Sequence, residues 1–205
     1  MWKTPPPFAT LCDSWDMSGF FIHRAQTLAE LNYYRNSRFY LEFPNRCFVP
    51  KNLTGTPGFR AHAVNALVHS GDIAILDTAL WIHTGIYRIS LARSLPVARS
   101  DAKYRGSATR RIIPAHFLCT YENLKVSGPE LTAIDFLRSD LCTGVSLLPR
   151  ITESGTSLRK ILHTAQKMPR IPHIRTIRQI LIQLIYNMEP TLPPVRSENT
   201  AVNEK

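Results

Sequence analysis

The chain has 205 residues, 44% of them hydrophobic and 20% charged, and its 25 Lys and Arg outweigh 15 Asp and Glu to give a formal charge of +10. Such a composition can bury a real core, while no apolar run approaches the roughly 20 residues that a bilayer-crossing helix requires, which excludes a helical membrane protein. Four single cysteines, Cys12, Cys47, Cys119 and Cys142, have neither the paired spacing of a zinc site nor the density of a disulfide scaffold.

From the N-terminus, Pro5-Pro6-Pro7 stands where a secretory signal would need an apolar helix, so a cytoplasmic location is expected. Gly19–Arg24 reads as a short strand or buried turn, and Thr27 as the N-cap of a brief helix through Leu31 and Tyr34. Tyr33–Tyr40 is aromatic and basic and leads into two strands joined at Pro44-Asn45, a wing-like hairpin ending Phe48-Val49-Pro50. Thr54–Gly58 is a linker by composition. Phe59, Ala63, Ala66 and Leu67 then recur at helical spacing, predicting a helix that ends near His69, before Gly71.

Ile73–Leu76 reads as a buried strand, followed by a helix over Thr78–His83 with Asp77 as its cap and Gly85 closing it. Tyr87–Leu91, Thr109–Ile113 and Leu124–Val126 read as further strands, with 100–106 as a loop. Ser127-Gly128-Pro129-Glu130 has the hydroxyl, proline and acid of a helix start, and that helix continues through Leu131, Ile134, Phe136 and Leu137. Past Pro149 the chain is expected to turn helical again over Thr156–Gln166 and Ile174–Tyr186, with Pro169 and Pro172 separating the two helices. Residues 190–205 read as a polar, disordered tail.

The excess positive charge falls in three groups. Arg24, Arg35, Arg38 and Arg46 lie among the N-terminal aromatics; Arg88, Arg93, Arg99, Lys103, Arg105, Arg110 and Arg111 surround Tyr87 and Tyr104; Arg159, Lys160, Arg175 and Arg178 belong to a segment with no acid between Glu153 and Glu189. The first two groups are candidate nucleic-acid contacts, since clustered cations interleaved with aromatics neutralise phosphates. The third is a candidate partner surface, because Arg175 and Arg178 share one helix face while Ile174, Ile177, Leu181 and Leu184 occupy another. Each group is equally compatible with an ordinary solvated face.

Catalytic constellations are not apparent. His62 and His69, seven apart, can share a helix face but lack a third ligand, and Asp77 and Asp135 stand at helix starts where capping accounts for them. The expectation is therefore a non-enzyme with no cofactor and no metal.

Three segments, in order, carry a family likeness: Phe48-Val49-Pro50 after the aromatic-basic stretch, Ile75–Gly85, and Lys125–Asp135. Together they resemble the AbiEi-type antitoxin family of type IV toxin-antitoxin systems, over about two thirds of the chain. The resemblance implies a winged-helix N-terminal part over 1–55, an antitoxin-like α/β core over 56–150, and here a basic helical section over 151–189. The implied fold class is mixed α/β: a degenerate winged helix, a small mixed sheet with helices, and a helical C-terminal section. The implied function is a DNA-binding transcriptional regulator that neutralises a cognate toxin. The alternative is a non-catalytic interaction module that binds a toxin or other acidic partner after losing DNA reading. Cys47 replaces the family's wing glycine, and a distinct recognition helix is not legible near the N-terminus.

Overall fold

The computed structural model describes residues 22–88, 95–99, 109–168 and 171–188. These fall into two compact units that divide between Gly128 and Pro129. The fold is mixed α/β.

In the first unit a three-stranded antiparallel sheet has the order β1-β3-β2, from β1 (His23–Arg24), β2 (Tyr40–Phe43) and β3 (Cys47–Pro50). Helix α1 (Leu28–Asn36) joins β1 to β2 and begins at Thr27 as the sequence predicts. The Thr27 hydroxyl accepts the Glu30 N–H at 3.1 Å, and the Glu30 carboxylate accepts the Thr27 and Gln26 N–H groups, so two orphan donors of the first turn are satisfied reciprocally. The hairpin turn at Pro44–Arg46 also stands where expected. Asn45 (φ 61) and Arg46 (φ 57) both adopt the left-handed conformation that a tight turn demands, one that asparagine accepts readily and arginine at a cost of about 1 kcal/mol.

β3 buries both of its faces. Cys47 and Val49 point into a core shared with Phe43, Trp81 and Val126, while Phe48 points the other way into a small cluster with Ala25 and Leu31. Tyr34 stacks on Phe48 at 4.9 Å and meets Tyr40 edge-on, with His23 against both tyrosines. Tyr34 and Tyr40 are thus packing residues.

The same unit continues with α2 (Pro57–Asn65), β4 (Ile73–Ala74), α3 (Leu76–Thr84), β5 (Val97–Arg99), β6 (Thr109–Arg110), β7 (Leu118–Tyr121) and β8 (Leu124–Ser127). The strands form a second sheet of order β6-β5-β4-β8-β7, in which β4 runs parallel to β8 and antiparallel to β5. Several expectations shift here. α2 stops at Asn65 rather than near His69, because the Asp72 carboxylate draws the His69 N–H (3.1 Å) into a turn. His62 and His69 therefore do not share a helix. Leu76 opens α3 instead of ending the strand, and Asp77 lies in the first turn without capping it. Tyr87 and Arg88 are not in a strand, and the rest of the expected strand lies outside the described residues, as do the loop 100–106 and the tail 190–205. β6 covers only two of the five residues expected, and β5 has no counterpart among the expected strands. Gly85 does close α3 in the left-handed conformation (φ 77).

Arg60, a buried cation in α2, ties this region together. Its guanidinium donates to the Ile82 carbonyl at 2.9 Å, the His83 carbonyl at 3.4 Å and the Thr54 carbonyl at 2.7 Å, so it satisfies the open C-terminal end of α3 and anchors the linker. Burial lowers its pKa, opposed by the nearby Tyr121 hydroxyl.

The second unit contains α4 (Pro129–Ser139), α5 (Leu141–Glu153), α6 (Leu158–Gln166) and α7 (Ile174–Met188). Ser127 closes β8 rather than capping α4, which starts on Pro129. α5 is absent from the elements expected of the sequence, because Pro149 looks like a break. The proline instead sits inside the helix, four residues before its end, where burial of Leu147, Leu148 and Ile151 outweighs the missing hydrogen bond. Gly144 lets α5 approach α4 closely: a Cβ there would lie 2.6 Å from the Leu137 backbone.

Two substitutions test these constraints. Arg60→Met, which strands three carbonyls, should lower unfolding free energy by about 2–3 kcal/mol in urea denaturation. Gly144→Ala should cost about 1–3 kcal/mol, because backbone rather than a flexible side chain must move.

Candidate nucleic-acid interface

The arginines singled out from the sequence divide into those consumed by the fold and those left facing solvent. Arg35 chelates Glu42, with Nε at 2.9–3.0 Å and Nη2 at 2.6 Å from the carboxylate oxygens. Arg99 pairs with Asp72, whose side chain is only 2% exposed. Arg88 lies 3.7 Å from Asp77. Desolvation raises the Asp77 pKa, and the Arg88 charge offsets this only in part. Arg178 donates to the Ala165 carbonyl at 2.8 and 3.1 Å and to the Gln166 carbonyl at 3.3 Å, and so caps the C-terminal end of α6. Arg111 is half-buried beside β6, its N–H on the Arg99 carbonyl at 3.4 Å. Arg93, Lys103 and Arg105 lie outside the described residues, as does the Arg110 side chain.

Among the described residues of this unit, Arg24, Arg38, Arg46 and Lys51 stay exposed without an acidic partner, as does Lys125 on β8, and the first sheet assembles the first four into two corners. At one end the Ala25 N–H donates to the Arg46 carbonyl (3.0 Å), which sets Arg24 beside Arg46. At the other end the Lys51 N–H donates to the Phe39 carbonyl (2.8 Å), which sets Lys51 beside Arg38. The run of β3 from Arg46 to Lys51 separates the corners by roughly 16 Å at about 3.3 Å per residue. α1 packs on the sheet between them through Leu31 and Tyr34, leaving Ala29, Asn32, Tyr33 and Asn36 exposed together with Leu28, Glu30 and Arg35. Tyr33 is 66% and Phe39 77% exposed, so these two aromatics, unlike Tyr34 and Tyr40, are open to a ligand.

Among the described residues no carboxylate is shown countering these four cations. From Ile22 to Thr56 the acids are Glu30 and Glu42, the first held in the α1 cap and the second neutralised by Arg35. Asn32, Asn36 and Lys51 do not stand out in the sequence; the only signal for the asparagines is their spacing of four opposite Leu31 and Tyr34.

In the second unit Arg159, Lys160 and Arg175 are exposed, and Ile182 and Tyr186 add apolar area to the outer face of α7. Elsewhere in the first unit a buried polar relay joins α3 to the β7–β8 hairpin. His83 Nε2 donates to the Ser127 carbonyl at 2.7 Å, and its Nδ1 lies 3.4 Å from the Tyr121 hydroxyl. Tyr87, packed on Phe43 and Trp81, donates its hydroxyl to the Glu42 carbonyl, and burial raises its pKa strongly. Both arrangements tie elements together. Among the described residues no three His, Cys, Asp or Glu side chains gather as metal ligands, and no helix is long and apolar enough to cross a membrane.

Compared with protein-family models, curated proteins and solved structures, the chain has no match.

The division between structural and open cations is directly measurable. Asp72→Asn, which leaves Arg99 without its counter-charge, should destabilise the chain by about 3 kcal/mol. Arg24→Ala and Arg38→Ala should each change stability by less than about 0.5 kcal/mol in the same denaturation assay.

Proposed function

We propose that this protein is a DNA-binding, antitoxin-like transcriptional regulator without catalytic activity, and that it binds through the first sheet and α1. The observation that carries this reading is the pair of cationic corners, Arg24 with Arg46 and Arg38 with Lys51, flanking a helix that exposes the amides of Asn32 and Asn36 and whose two charged residues, Glu30 and Arg35, are engaged in its cap and with Glu42. A separation of roughly 16 Å lets the corners reach phosphates on both sides of a major groove about 12 Å wide. Phosphate contacts of this kind fix register, while side chains on the intervening helix meet base edges.

The strand order β1-β3-β2, with a helix before the hairpin, supports a winged-helix analogy in which α1 occupies the recognition position. The three family-like segments coincide with β3, with α3 and its Gly85 cap, and with β8 leading into α4. Their order supports membership of the AbiEi-type antitoxins and hence a nucleotidyltransferase-like toxin as cognate target. A protein partner is the second reading, favoured by the exposed Arg159, Lys160 and Arg175 beside Ile182 and Tyr186 on α6 and α7. Arg178 leaves that partner surface, since its guanidinium is engaged on α6.

Gel-shift titration on DNA from upstream of its own gene, at several salt concentrations, tests the principal reading. Arg38→Ala and Arg46→Ala should each weaken binding to all sequences and flatten the log K against log salt slope by about 0.9 for each phosphate left unneutralised. Asn32→Ala should weaken the specific site by about 1–3 kcal/mol while leaving random DNA unchanged. Binding that ignores salt, or that survives removal of both corners, would contradict the proposal.

A further inference from the structure

The second unit has an unfilled side. α4 packs against α5, α6 and α7, but between α5 and α7 an apolar groove of about 510 Å³ remains, lined among others by Val145, Leu148, Pro149, Thr152, Leu184 and Met188. Empty apolar space of this size forfeits dispersion contacts and leaves hydrocarbon in water, so a complementary segment gains by filling it.

We propose that the groove is the docking site for the protein's own segment Thr191–Val195, so that the chain beyond α7 folds back along α5. The first argument is position. Met188, a lining residue, is also the point from which the following 17 residues depart, so the segment is delivered at the rim of the groove. Tethering of this kind holds a ligand at an effective concentration of about millimolar, enough for a weak contact to be populated.

The second argument is sequence. Pro190, Pro193 and Pro194 cannot extend α7 and favour polyproline II, a conformation ordered at little entropic cost. With three residues per turn and about 3.1 Å per residue, Leu192 and Val195 then occupy one edge of the segment, roughly 9 Å apart. Along α5 the lining positions Val145 and Thr152 are seven residues apart, roughly 10 Å at about 1.5 Å per residue. Two apolar side chains thus meet a groove of matching length, and four residues from Met188 to Leu192 span roughly 12 Å, enough to reach it.

Photo-crosslinking of the full chain tests this, with Leu192 replaced by benzoylphenylalanine and the products mapped by mass spectrometry. The expected result is an intrachain crosslink onto residues 145–152, abolished by Val145→Glu in a protein whose circular dichroism is unchanged. Deuterium uptake at the side of α5 should also rise in a chain ending at Met188. Crosslinks between chains would assign the groove to a second copy. Attachment of a probe at Trp15 to residues 145–152 would assign it to the N-terminal segment. Either result, or a Leu192 probe that never reaches 145–152, overturns the proposal.

Discussion

Strand β3 is the constraint on which the first unit depends, because both of its faces are buried against different partners. Cys47 and Val49 belong to the core with Phe43 and Trp81, and Phe48 belongs to the aromatic cluster beneath α1. A slip of one residue would exchange these sets and expel Phe48 from its stack on Tyr34, so the register His23↔Phe48 and Glu42↔Phe48 is tightly specified. That register has a functional consequence. With the alternate positions of β3 filled by core residues, the residues at its two ends, Arg46 and Lys51, are left to water, and the neighbouring strands bring Arg24 and Arg38 beside them.

The remaining positive charge is used differently. Arg60 and Arg178 act as hydrogen-bond donors to helix carbonyls, a task for which a planar fork of N–H groups is suited and a carboxylate partner is unnecessary. Arg35 and Arg99 neutralise acids that the fold encloses. A net charge of +10 therefore overstates the cationic surface left open, and the exposed cations of the first sheet are gathered by strand pairing rather than by sequence proximity.

Local chemistry made much of the architecture legible. Thr27 and Glu30 announce α1, Pro44-Asn45 announces the hairpin turn, and Gly85 announces the end of α3, since each acts through neighbours within a few residues. What was hidden depends on distant groups. Arg60 looks like a surface residue until α3 presents its carbonyls, and Asp72 gives no sign of Arg99, which lies 27 positions away. Pro149 signals a break that the packing of Leu148 and Ile151 overrides, and Gly144 matters only because Leu137 lies against it. The candidate site was half visible for the same reason: Arg24, Arg38 and Arg46 are evident in the sequence, but Lys51 and the sorting of all four into two corners require the backbone pairs Ala25–Arg46 and Phe39–Lys51.

The central claim is that a nucleic-acid duplex meets this protein at those two corners and along the α1 face between them. Backbone amide chemical shifts followed during titration with upstream duplex DNA measure that footprint residue by residue. The account predicts saturable shifts at Arg24, Arg38, Arg46 and Lys51 and on the outer face of α1, with Phe48 and the α6–α7 helices undisturbed. Shifts confined to Arg159, Lys160 and Arg175, or a spectrum that DNA leaves unchanged, would contradict it.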